Sequence, residues 1–157
     1  MGHRANFVVI QNSSTKAYWD NWAALGSLYS FAAGPDEAIK FLTDFKPTTE
    51  LLDWAFAEGG YLLDFDASTA IIFGFPIDEA EFEFFGLKES PDDEQTEEFM
   101  SKYLQEIASK WTGWKLIFDD RGVDAFASYL QLKNIKEIKW QPASHPTNIS
   151  PPCELQA

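Results

Sequence analysis

The stretch that most constrains this chain is residues 54–75, Trp-Ala-Phe-Ala-Glu-Gly-Gly-Tyr-Leu-Leu-Asp-Phe-Asp-Ala-Ser-Thr-Ala-Ile-Ile-Phe-Gly-Phe. Two apolar runs of strand length flank Asp66-Ala67-Ser68-Thr69, and an Asp at the first turn position suits a type I turn. By alternation Tyr61, Leu63 and Phe65 share one face, Leu62, Asp64 and Asp66 the other, while Ile71, Phe73 and Phe75 line one face of the partner strand. A hairpin this apolar cannot face water on both sides, so the rest of the chain must cover it. Just ahead of it, Gly59-Gly60 is predicted to close a short helix capped by Thr48, with Leu51, Leu52, Ala55 and Phe56 facing inward.

The flanking sequence supplies the cover. Phe7–Gln11 and Lys16–Trp19 read as a second hairpin around the polar turn Asn12–Thr15. Residues 23–33 are apolar without a decisive period. Gly34-Pro35-Asp36-Glu37 opens a helix, with Pro at its first position and two acids on the positive end of its dipole. Ala38, Phe41, Leu42 and Phe45 form its apolar stripe, and Pro47 ends it. Phe99, Tyr103, Ile107 and Trp111 recur every four residues and predict a helix over about 96–111, stopped by Thr112-Gly113. Residues 114–118 read as a strand, Val123, Phe126, Ala127 and Leu130 mark a last helix, and 135–140 a final strand. Residues 141–157 hold four of the eight prolines and are predicted to be unstructured or draped over the fold. Hairpins joined by tight turns imply antiparallel pairing. The expected fold is α+β: one domain over 1–140 with a mostly antiparallel sheet covered by three to four helices, then the Pro-rich tail 141–157.

Composition narrows the function classes. A hydrophobic fraction of 45% with 14 Phe in 157 residues predicts a folded core. A net charge of -13 and a pI near 4.4 repel phosphate backbones and anionic bilayers, so direct nucleic-acid or membrane binding is not expected. The apolar run 7–10 is too short for a signal-peptide core, and the chain reads as a bacterial-style cytoplasmic protein. With His3, His145 and Cys153 as its whole stock of His and Cys, the chain cannot build a Cys/His zinc site or an internal disulfide. A nucleophile–His pair would have to recruit a terminus. There is no glycine-rich phosphate loop, and no cofactor is expected.

What remains for chemistry is carboxylates and aromatics. Asp53, Glu58, Asp64 and Asp66 surround the central turn. Such oxygens would suit Mg²⁺ or Ca²⁺, or acid/base hydrolysis of a glycoside beside Trp54 and Tyr61. The reading that follows is a carboxylate-based, optionally metal-assisted hydrolase using Glu58 and Asp64. Turn and surface roles are the commoner ones for Asp and Glu, and they outweigh it. Asp119-Asp120-Arg121-Gly122 is likewise read as a strand-to-helix turn. Trp19 and Trp22 would suit a sugar-stacking groove, but core packing accounts for most of the six Trp.

The acidic block carries the favoured reading. Residues 78–98 hold Asp78, Glu79, Glu81, Glu83, Glu89, Asp92, Asp93, Glu94, Glu97 and Glu98 against Lys88 alone. Concentrating so much like charge costs self-repulsion that a cationic partner relieves, and it would steer and select that partner. The expected function is therefore an acidic protein-binding module, an immunity-type inhibitor that docks on the basic surface of a bacterial toxin. A mimic of nucleic-acid charge is a further reading, and a plain solvated acidic loop is the unremarkable alternative.

Four motifs carry a resemblance: the opening Met-Gly-His-Arg-Ala-Asn-Phe, Ala57-Glu58-Gly59-Gly60-Tyr61-Leu62-Leu63-Asp64, the later Phe73-Gly74, and Trp111-Thr112-Gly113-Trp114. In these the chain resembles a family of small acidic uncharacterised bacterial proteins with no assigned activity. The likeness covers most of residues 1–131 outside the acidic insert. It implies a bacterial origin and a shared fold, and it carries no catalytic residue over.

Overall fold

The computed structural model describes residues 4–20, 23–51, 59–73, 105–119, 123–140 and 153–156. The first hairpin forms as expected from β1 (Ala5–Gln11) and β2 (Ser14–Asp20). Its turn is tighter than the sequence suggests. Gln11 pairs with Ser14, so only Asn12 and Ser13 connect the strands, both with positive φ (54 and 61). Two consecutive left-handed residues match the right-handed twist of the flanking strands.

Residues 23–33 form α1 (Ala24–Ala32), and Pro35 opens α2 (Pro35–Lys40). Beyond α2 the chain continues as tight turns, with Leu42, Thr43 and Phe45 each donating to the carbonyl three residues back. Of its predicted stripe, Ala38 and Leu42 are buried.

A helix capped by Thr48 does not form. Pro47–Thr48 is instead a short edge strand, β3, and Glu50–Leu51 is β4. Proline is tolerated on an edge because its missing N–H costs no ladder bond there.

Gly59 and Gly60 also correct the expectation. They are the first two residues of β5 (Gly59–Asp64), which lies parallel to β1 with Asn6 opposite Gly60. Gly60 adopts φ +139, and a Cβ built on it would lie 1.8 Å from the Asn6 carbonyl oxygen. Glycine is required here by the approach of a neighbouring backbone. The rest of the predicted helix, 52–58, lies outside the described residues.

The central hairpin is completed by β6 (Thr69–Phe73), antiparallel to β5. A helix α3 over 105–110 carries buried Ile107 and leads to buried Trp111. Next come β7 (Lys115–Phe118), parallel to β6, and α4 (Val123–Leu132). β8 (Lys139–Trp140) pairs with β4 in a separate two-stranded ribbon. β9 (Cys153–Gln156) runs antiparallel to β7 on the far edge of the sheet. The expectation of an unstructured tail is therefore overturned for residues 153–156, whose place is set by the open edge of β7 rather than by any strong local signal.

The fold is α+β, with described helices on both faces of a mixed sheet ordered β3-β2-β1-β5-β6-β7-β9. The predicted hairpins are antiparallel, and the joins β1–β5 and β6–β7 are parallel. One face packs Phe7, Val9, Tyr61, Leu63, Ile72 and Leu116 against Phe31 of α1, Ala38 of α2, Ile107 and Trp111. The other packs Val8, Ile10, Leu62 and Ile71 against Val123, Phe126 and Leu130 of α4. Burial on both sides explains the unbroken apolar runs Phe7–Ile10 and Tyr61–Leu63. Each fully buried Leu or Ile contributes about 1.5–3 kcal/mol.

Two aromatic side chains pin the ends of α1 and α2. The Trp111 indole donates to the Phe31 carbonyl at 2.7 Å and stacks on the Phe31 ring with centroids 4.5 Å apart. That carbonyl, in the last turn of α1, also accepts the Gly34 N–H at 3.1 Å. The Tyr61 hydroxyl donates to the Ala38 carbonyl of α2 at 2.5 Å. Trp111 is thus a core residue, as its helical stripe implies.

Candidate functional site

Because β1 and β5 are parallel neighbours, the turns that follow them sit side by side at one end of the sheet. Phe65 N–H donates to the Ile10 carbonyl at 2.8 Å and begins this contact. The Asp66 carboxylate completes it, accepting the backbone N–H of Asn12 on one oxygen and of Ser13 on the other, each at 2.8 Å. Asp66 was expected to open its own turn. It instead clamps the turn of the other hairpin, while Asp64 Oδ1 accepts from Ala67 N–H at 3.0 Å and shapes the local loop. Charge-assisted bonds to the two left-handed residues offset their backbone strain.

An Asp66→Ala variant is expected to lose about 1–2 kcal/mol in urea unfolding. Adding Ser13→Gly, which removes the left-handed strain, should recover part of that loss. An unchanged midpoint for the single variant would show that the clamp contributes nothing.

Asp64 faces α4 and is 2% exposed. Its Oδ2 accepts a short hydrogen bond from the Tyr129 hydroxyl, and Lys133 Nζ lies 4.0 Å from the same oxygen. Lys133 also sits 5.6 Å from the centroid of the Tyr129 ring. Burial pushes the Tyr129 phenol above its ordinary range, and the bond to Asp64 and the Asp64 charge push it further, against a smaller lowering by Thr69. At neutral pH the phenol therefore keeps its proton and donates it to a carboxylate that cannot reach bulk water.

For the hydrolase reading these geometries matter directly. Tyr61, expected beside paired carboxylates, lies on the opposite sheet face from Asp64, with its hydroxyl committed to Ala38. Asp64 is bound on both oxygens by groups of its own chain. Its partners Asp53, Glu58 and Trp54 lie outside the described residues. Among the described residues no three His, Cys, Asp or Glu side chains gather in one place. Trp19 is 39% exposed on β2, and Trp22 lies outside the described residues. Asp119 is buried at the end of β7, four residues before α4 begins, which places it in the strand-to-helix connection as expected.

The acidic block Asp78, Glu79, Glu81, Glu83, Glu89, Asp92, Asp93, Glu94, Glu97 and Glu98 lies outside the described residues. No described helix is long and apolar enough to cross a membrane. Sequence reading missed the Asp64–Tyr129–Lys133 cluster. The one available signal was the spacing of Tyr129 and Lys133, four apart near the end of α4, where they share a face.

The fold and the clustered turns define the chain as an α+β protein with a pinned, buried carboxylate at one end of its sheet. Comparison with family models, with curated proteins and with solved structures finds no match.

Proposed function

We propose that this chain is an acidic protein-binding module of the bacterial cytoplasm, an immunity-type inhibitor that neutralises a toxin by docking on its basic surface. One observation carries the reading. Ten acids less one lysine in residues 78–98 amount to nine negative charges, against a net charge of -13 for the whole chain. A field this concentrated accelerates encounter with a cationic surface and penalises wrong partners through like-charge contact.

Capture from a lysate of the source bacterium, at low and high salt, tests it, followed by titration of the purified partner. The expected partner is basic, toxic when expressed alone and harmless when co-expressed with this chain. Replacing Asp92, Asp93 and Glu94 with Ser should weaken binding by roughly one to two orders of magnitude at low salt. Unchanged affinity in the triple variant would remove the acidic segment from the interface. A nucleic-acid-binding partner without toxicity would point to charge mimicry instead.

A further inference from the structure

On the sheet face that carries α1 and α2, the outer end of the first hairpin reaches past α2 and leaves a groove of about 550 Å³. Its floor is Val9 and Tyr18, one wall is Leu42 and Phe45 from the turns after α2, and Pro47 of β3 closes a side. Val9 lies opposite Lys16 in the β1–β2 ladder, and Lys16 and Tyr18 are two residues apart on one strand, so both rise from the same face. Its volume falls in the range of small-molecule sites, and its lining is mixed, with Gln11, Asn12 and Ser14 at the hairpin end beside the apolar side chains.

Charge identifies the occupant. In a chain with 25 acids and 12 bases, Lys16 is the one charged side chain among the described residues that line this groove. Burial raises the Tyr18 phenol, which keeps its proton and serves as a hydrogen-bond donor. An ammonium and a phenol donor two residues apart on one strand, beside aromatic and aliphatic side chains, fit a flat ring bearing a carboxylate.

We propose that this groove is a binding site for a small aryl carboxylate. The ring lies between Tyr18, Leu42 and Phe45, and the carboxylate meets the Lys16 ammonium and the Tyr18 hydroxyl.

Titration of the full chain with naphthylacetate, followed by backbone amide NMR shifts, tests this. The expected result is saturable shifts centred on Val9, Tyr18 and Thr43 with a Kd of about 1 mM or tighter. The neutral naphthylacetamide should bind about tenfold more weakly. Lys16→Met, at an exposed position that leaves the core intact, should erase the difference between acid and amide. Thr43→Trp, at the exposed side of the lining, should block both ligands. The site is overturned by shifts scattered away from the groove, by no shifts at all, or by equal binding of acid and amide to the unaltered protein.

Discussion

A Gly60→Ala variant is expected to lose upward of about 4 kcal/mol, or to accumulate unfolded, a larger effect than the same change at Gly26, Gly34 or Gly113. The added carbon would lie 1.8 Å from the Asn6 carbonyl oxygen and under 3 Å from two further Asn6 backbone atoms. None of these is a side-chain end that can swing away. To admit the methyl group, β1 and β5 must part at the middle of the sheet, where Phe7, Val8, Tyr61 and Leu62 are wholly buried. The left-handed φ of Gly60 adds its own cost. Gly113→Ala separates the two contributions, because Gly113 also has positive φ (+87) but nothing within 4 Å of the added carbon. That variant should lose only about 1–2 kcal/mol. Urea unfolding followed by circular dichroism compares them. Equal losses at both positions would mean that conformation alone, and not the interstrand contact, sets the demand for glycine at position 60.

That glycine also shows where sequence reading loses its grip. A Gly pair after an apolar helical run resembles a helix C-terminus, and nothing local distinguishes it from a strand that must lie against another backbone. The distinction depends on Asn6, more than fifty residues earlier. The hairpins were legible because their information is local: period-two apolar runs, polar turns and short spacing. α4 was legible for the same reason, with Val123, Phe126, Ala127 and Leu130 buried as their spacing requires. The parallel joins β1–β5 and β6–β7 were not, since pairing between distant strands leaves no mark on either one alone. β9 was missed because a short strand on a sheet edge is specified mainly by the partner it meets.

At the candidate site the same division holds. The face on which Asp64 lies followed from alternation along β5, and the place of Asp66 in the loop before β6 from its turn signal. Their partners did not, because Asn12, Ser13 and Tyr129 are 54, 53 and 65 residues away. A surface acid and a buried anchoring acid are written with the same letter. Only the arrival of α4 over the end of the hairpin makes Asp64 the second kind.

Asp64→Ala is therefore expected to cost about 3–5 kcal/mol, the range for breaking a buried charged contact from one side. The change strands the Tyr129 hydroxyl and the Ala67 N–H, and it removes the carboxylate near Lys133. Tyr129→Phe removes one donor and leaves the buried carboxylate less well satisfied, for about 1.5–3 kcal/mol. The double variant should cost less than the sum, since the two side chains share a bond. pH supplies a separate readout. The folded Tyr129 phenol titrates above its ordinary value of 10.0. The stabilisation linked to that shift is whole below pH 10 and drains away as the pH rises above it, because the unfolded phenol ionises first. Tyr129→Phe should flatten that alkaline decline, with a remainder from Tyr61, which burial also raises. The sign of the Asp64→Ala effect decides the role of the residue. Reacting groups are commonly held at the expense of stability, and their removal tends to stabilise a protein. A destabilised Asp64→Ala protein identifies an anchor between the central hairpin and α4, whereas a stabilised one would restore Asp64 as a reacting carboxylate.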